Sequence, residues 1–201
     1  MNLIATASPA IAPRSRTWLR NAGLAVSGSV LVAVAAHISV PLFFTPVPFT
    51  LQTLAVLGLG LLLSPSVAFS AMALYLLEGA SGLPVFSPAG PGGIAQLLGP
   101  TGGYLMAYPL AAAAAGWLYN RARHSRFLSN FSAAIASAAI ADLLILAAGA
   151  AWLATLTQLA PAKIAALAVV PFLPGDALKV IAAAAIVTGI ARVRKQLSAE
   201  Q

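Results

Sequence analysis

Charge is scarce in this chain, and that scarcity limits what it can fold into more than any motif does. Of its 201 residues, eleven are Lys or Arg and four are Asp or Glu, 7% in all, where a water-soluble domain carries about 25%. So few charges do not cover a surface that faces water. With 60% hydrophobic residues and a mean hydropathy of +0.93, the composition implies an integral membrane protein. The net charge of +7 does not point to nucleic acid, because the basic residues gather at connections and ends rather than along one face. The absence of cysteine excludes disulfides, thiol catalysis and Cys-ligated metal. With His37 and His124 as the two histidines, a zinc site is not expected. The opening MNLIATASPAIAPRSRTWLR places apolar residues before its charges and offers no small-residue cleavage site after a short apolar core. It reads as a flexible cytoplasmic tail rather than a signal peptide.

Six apolar segments can be drawn, at about Asn21–Val40, Phe49–Leu63, Val67–Glu78, Tyr104–Tyr119, Phe131–Thr157 and Asp176–Ala191. The second and third are short against the roughly 20 residues a spanning helix needs, which implies tilted or broken helices or spans extended by their flanks. The first ends at PLFFTPVPFT, where Pro41, Pro46 and Pro48 prevent a regular helix. Arg14, Arg16 and Arg20 precede segment one; Arg121, Arg123 and Arg126 separate segments four and five; Arg192, Arg194 and Lys195 follow segment six. Six spans put all three clusters on one side, and the positive-inside rule makes that side cytoplasmic, with both termini. Nine of the eleven basic residues are then inside, and Lys163 and Lys179 are the exceptions. The expected organisation is a cytoplasmic tail over 1–20, an all-α membrane domain over 21–192 and a second cytoplasmic tail over 193–201.

The connections on the opposite side, 41–50, 79–103 and 158–175, are apolar and nearly uncharged. Apolar non-helical backbone is tolerated near a bilayer where protein buries it or it lines a cavity. These loops are expected to fold inward over a ligand pocket at the outer face. The competing reading lays them in the headgroup region.

Within FLPGDALK, Asp176 and Lys179 stand three residues apart just after Pro174 and Gly175, which places them on one helix face. Asp176 has the position of an N-cap, and on a soluble helix a cap plus a local ion pair would suffice. Near a bilayer each charge is costly, so the pair reads as a ligand site. Lys179 beside a helix N-terminus suits a carboxylate, and Asp176 suits an N–H donor. Gln52 and Thr53 are neutral hydrogen-bonding groups that serve either a ligand or the contact between helices. In GPTGGY, Gly102 and Gly103 allow close approach of backbone to a ligand or a helix, and the motif lacks the Gly-Lys-Ser/Thr of a phosphate loop. Tyr104 and Trp152 each suit a pocket wall or an interfacial anchor. Asp142, about 18 Å of helix from the start of segment five, is the deepest acid, and a direct pair with Lys179 looks out of reach. Ala25, Ser29 and Ala33 form a small-residue face that permits close helix contact. His37 is expected to be packed or hydrogen-bonded. No catalytic triad, paired catalytic carboxylates or nucleotide motif is present in the sequence, so the chain reads as a carrier and not an enzyme.

AHISVPLFFTPVPFTLQTLAVLGLGLLL, SGLPVF, LLGPTGGYLMAYPLAAAAAGWL and PFLPGDALK, in this order, resemble the BioY family, the biotin-binding S components of energy-coupling-factor (ECF) transporters. The resemblance covers roughly residues 22–192. It implies six membrane helices in a bacterial inner membrane, no cofactor, biotin as transported substrate, and two kinds of partner: a transmembrane coupling protein and ABC-type ATPases. It implies polar contacts to biotin from Asp176 and Lys179, with matches at Gly99–Tyr104 and at Gln52 and Thr53. Gln96 is the nearest candidate for the polar residue contributed by the loop before GPTGGY. The docking face for the coupling protein matches at Ala25, Ser29 and Ala33, with Ser29 where Ala is usual and His37 where Gln is common. The alternative function is a self-sufficient secondary carrier, proton-coupled through Asp142. A third is a structural membrane protein that binds no small molecule.

Overall fold

The computed structural model describes residues 14–124 and 128–199. Residues 1–13 of the expected tail, and Arg126 of the second basic cluster, lie outside the described residues. The fold is almost entirely helical: α1 (Arg14–His37), α2 (Gln52–Leu62), α3 (Pro65–Ala80), α4 (Gly93–Leu98), α5 (Gly102–Ala122), α6 (Asn130–Thr157), α7 (Pro161–Ala168) and α8 (Leu173–Ala199). Two short strands, β1 (Ser39–Val40) and β2 (Phe49–Thr50), pair antiparallel with Val40 opposite Phe49. This hairpin closes the proline-rich stretch after α1, where three prolines leave no room for a helix.

Helix boundaries follow local chemistry. Pro65 and Pro161 occupy the first turns of α3 and α7, where the missing N–H costs nothing. The Ser129 hydroxyl caps α6 by accepting from the Ser132 N–H at 3.1 Å. Gln158 ends α6 in the left-handed conformation, φ 55°. Both expected tails are partly helical, because α1 begins before Asn21 and α8 continues past Ala191 to Ala199. The helices α1, α6 and α8 are each long and apolar enough to cross a membrane. By contrast α2, with 11 residues, extends only about 16 Å.

Helix α5 is the hub, in contact with α2, α3, α4 and α6. Its alanine run explains why: Ala111, Ala112 and Ala115 are fully buried, and small side chains let backbones close on one another. A Cβ on Gly60 of α2 would lie 2.7 Å from the Ala112 carbonyl oxygen, and one on Gly116 would lie 2.6 Å from the Gly60 carbonyl oxygen. The two backbones therefore touch directly. The outer surface is apolar, with Val34, Leu110, Leu143 and Ile181 all exposed. Such a continuous apolar exterior suits a hydrocarbon solvent rather than water.

The small-residue face of α1 is partly packed within the chain. Ala25 and Ser29 are buried and Ala33 is half-buried. The Ser29 hydroxyl donates to the Glu78 carboxylate of α3, and a Cβ on neighbouring Gly28 would touch Ala71. Ser29 and Gly28 thus pack α1 onto α3, while Ala33 borders a groove with Val30, Val34 and His37. His37 is hydrogen-bonded as expected, its Nδ1 donating to the Ala33 carbonyl at 2.8 Å.

Candidate functional site

At the end of the bundle opposite the described basic clusters lies a cavity with about 530 Å³ of space outside the protein atoms, part of it open to solvent. All three long connections contribute to its cover: Val47, Pro48 and Thr50 from the first, Ser87, Gln96 and Thr101 from the second, Phe172 from the third. The helices supply its floor and walls through Gln52, Thr53, Tyr104, Leu105, Tyr108, Asp142, Ile145, Leu146, Asp176 and Lys179.

Side chains that donate to main-chain carbonyls tie the covering connections to the helices and to one another. The Tyr104 hydroxyl donates to Ala168 O at 2.6 Å, Thr45 to Leu167 O at 2.7 Å, Tyr75 to Val85 O at 3.1 Å, and Trp152 Nε1 to Gly99 O at 2.9 Å. Gln52 is held in a buried chain: its Nε2 donates to the Tyr75 hydroxyl at 2.6 Å, and its Oε1 accepts from Thr50 at 3.1 Å. Gln96 is buried, and its Oε1 accepts the Gly92 N–H at 3.1 Å.

Lys179 and Asp176 form a buried ion pair at 2.8 Å, each side chain only 6% exposed. The ammonium also lies 4.0 Å from the centre of the Phe49 ring, a cation–π contact. Phe49 sits there because Gly175 lets it: a Cβ on Gly175 would fall 2.3 Å from the ring. An ammonium has three donors. One is used by Asp176 and one face is covered by the ring, which leaves a donor for the cavity.

Three expectations need correction. Asp176 is not an N-cap. The helix starts at Leu173, and the Asp176 N–H already donates to Phe172 O at 2.8 Å, so its carboxylate is free to hold Lys179. Gly102, Gly103 and Trp152 do not line the cavity. A Cβ on Gly103 would lie 2.3 Å from Trp152 Cβ, so the two glycines admit Trp152 against α5, and its indole fixes the loop at Gly99. Asp142 lies on the cavity wall with Asp176 and Lys179 rather than far below them. The reason is register. Gly102 and Gly103 oppose Trp152, and Tyr104 packs on Gly149, so α6 continues beyond the start of α5. Counted back from Trp152, Asp142 lies ten residues, somewhat under three turns, along α6, and it shares the cavity lining with Tyr108, about two turns into α5, and with Lys179, about two turns into α8. The residues the sequence reading missed, Tyr108, Ile145, Leu146 and Phe172 among them, carry no signal beyond being apolar or aromatic.

A family model for the BioY family matches residues 7–196. The chain belongs to the BioY family. Among its relatives, a probable biotin transporter of this family from Pyrococcus horikoshii is 38% identical over 156 residues, 78% of this chain and 86% of that one. Biotin transporter BioY2 of Lactococcus lactis is 33% identical over 168 residues, 82% and 86% of the two chains. A Rhizobium etli biotin transporter of the family is 33% identical over 163 residues, 80% and 86%. The fold matches the crystal structure of the S-component for biotin from an ECF-type ABC transporter with a TM-score of 0.79 and 24% identity, over 92% of this chain and 95% of that one.

Proposed function

We propose that this chain is the biotin-binding membrane subunit of an ATP-driven ECF uptake system. The observation that carries the reading is the buried Asp176–Lys179 pair on the wall of a loop-covered cavity, in a chain whose relatives are named biotin transporters. Biotin presents an apolar bicycle, two ureido N–H donors, a ureido carbonyl and a carboxylate. Asp176 accepts from a ureido N–H. Lys179 donates to the carbonyl or the carboxylate. Tyr104, Tyr108, Phe172, Ile145 and Leu146 enclose the rings, while Thr53, Gln52 and Gln96 shape the polar rim.

The membrane arrangement belongs to the same proposal. Helices α1, α2, α3, α5, α6 and α8 form six spans, with both termini on the cytoplasmic side of a bacterial inner membrane and the cavity near the outer face. Support comes from the gathering of Arg16, Arg20, Arg121, Arg123, Arg192, Arg194 and Lys195 at helix ends, which the positive-inside rule makes cytoplasmic. Since the sequence carries no nucleotide motif, the energy comes from separate ATPase subunits through a coupling protein, and membrane lipid covers the remaining apolar surface. Titration of the purified protein with biotin and a vitamin panel tests the reading. Biotin is expected to bind, and Asp176→Asn and Lys179→Ala are each expected to weaken it at least tenfold, about 1.4 kcal/mol. Binding of thiamine or riboflavin but not biotin would overturn it.

A further inference from the structure

The geometry points to Asp142 as a second ligand-facing carboxylate, one that accepts a hydrogen bond from a urea- or amide-type N–H and so sets which ring edge the cavity admits. The inference rests on the biotin reading above and deepens it. Its starting point is an unmet demand. Asp142 is 5% exposed, and its Oδ1 is the one fully buried side-chain polar atom without a hydrogen-bond partner among the described residues. Buried polar atoms are almost always paired, and leaving one unpaired is costly. The side chain is not lost in packing. It lines the cavity together with Ile145 and Leu146, one and the same face of α6 at i, i+3 and i+4.

In the same lining, Asp176 and Lys179 already satisfy each other, whereas Asp142 has no basic residue within ion-pair distance among the described residues. The wall thus offers an acceptor from α6, a donor from Lys179 and a second acceptor from the remaining oxygen of Asp176. A cyclic urea carries the complementary edge, N–H, C=O, N–H, with the carbonyl between its two donors. Seating it gives each carboxylate one N–H and gives Lys179 the carbonyl. A site built to receive a hydrogen-bond donor rejects analogues that lack it, because its own buried acceptor is then left unpaired.

The test uses biotin and its two cyclic-carbamate analogues, in each of which one ureido N–H is replaced by a ring oxygen of similar size. Competition against labelled biotin is measured on the purified full-length protein, for wild type, Asp142→Asn and Asp142→Ala; the first keeps the side-chain volume, and the second removes the polar group altogether. Both variants are expected to bind biotin at least tenfold more weakly. They are also expected to lose, by at least tenfold, the preference for biotin over one of the two carbamates, while the preference over the other persists. Asp176→Asn is expected to do the reverse. Unchanged biotin affinity in both Asp142 variants overturns the assignment. So does an equal loss for biotin and both carbamates, which marks Asp142 as structural. A wild-type protein that binds no biotin overturns the ligand reading itself, and this inference with it.

Discussion

The Asp176–Lys179 pair can be separated from an ordinary structural salt bridge by a double-mutant cycle. The perturbations are Asp176→Asn, Lys179→Met and the two combined, chosen to hold volume nearly constant. Both side chains are buried and 2.8 Å apart, so each single change strands one unpaired charge in a place with little water. Removing one partner of a buried pair costs about 3–5 kcal/mol. The low end, about 3 kcal/mol, applies here, since the pair borders a cavity that water can enter. A chain of this size loses roughly 2–4 °C of unfolding midpoint per kcal/mol, so each single variant should melt about 6–12 °C below wild type in detergent. The double variant strands no charge. It should cost no more than either single change, a coupling of about 3 kcal/mol. Biotin affinity should follow a different pattern, falling at least tenfold in all three proteins, because the double variant restores the packing but not the recognition groups. Strictly additive melting losses would refute the pairing energetics. Wild-type biotin affinity in the double variant would refute the site.

Gly175→Ala should lower stability by about 1–3 kcal/mol, as overpacking does, and weaken biotin, because a Cβ 2.3 Å from the Phe49 ring must push that ring away from Lys179. Thermal melts and titration together check it, and an alanine variant with both properties intact would contradict the packing argument. Tyr104→Phe keeps the ring but removes the hydroxyl bond to Ala168 O, worth about 1 kcal/mol. It should speed biotin dissociation several-fold with little change in association, read by stopped-flow exchange; a slowed association with unchanged dissociation would rule out a role in holding the cover shut.

Much of this was legible because charge is so scarce. Asp176 and Lys179 stood out against an apolar background, and the PGD turn marked where α8 begins to within three residues. Composition and the loop polarity pattern likewise led to the apolar helices and the inward-folded connections. What escaped was register. Depth along a single helix said Asp142 was remote, but depth within a bundle depends on where neighbours start, and that is set by the contacts of Gly103 with Trp152 and of Tyr104 with Gly149. The same limit applies to Ser29. A small-residue stripe says that something packs there; it does not say whether the partner is another chain or α3. Gly102 and Gly103 were read as room for a ligand or a helix, and the neighbour is α6, through Ala148 and the Trp152 side chain. Asp176 resembled a cap because caps and first-turn acids look alike in sequence, and only the Phe172 carbonyl distinguishes them.

The four donors that fasten the cover all reach for main-chain carbonyls, at Leu167, Ala168, Val85 and Gly99. Every residue type offers that carbonyl. The side chains at those loop positions can therefore drift over evolutionary time without loosening the cover, so long as the path of the backbone holds. Variation elsewhere in the covering segments and constancy in these four donors are compatible within one binding site. A change at Thr45, Tyr75, Tyr104 or Trp152 would be felt by a loop whose own sequence had not altered at all.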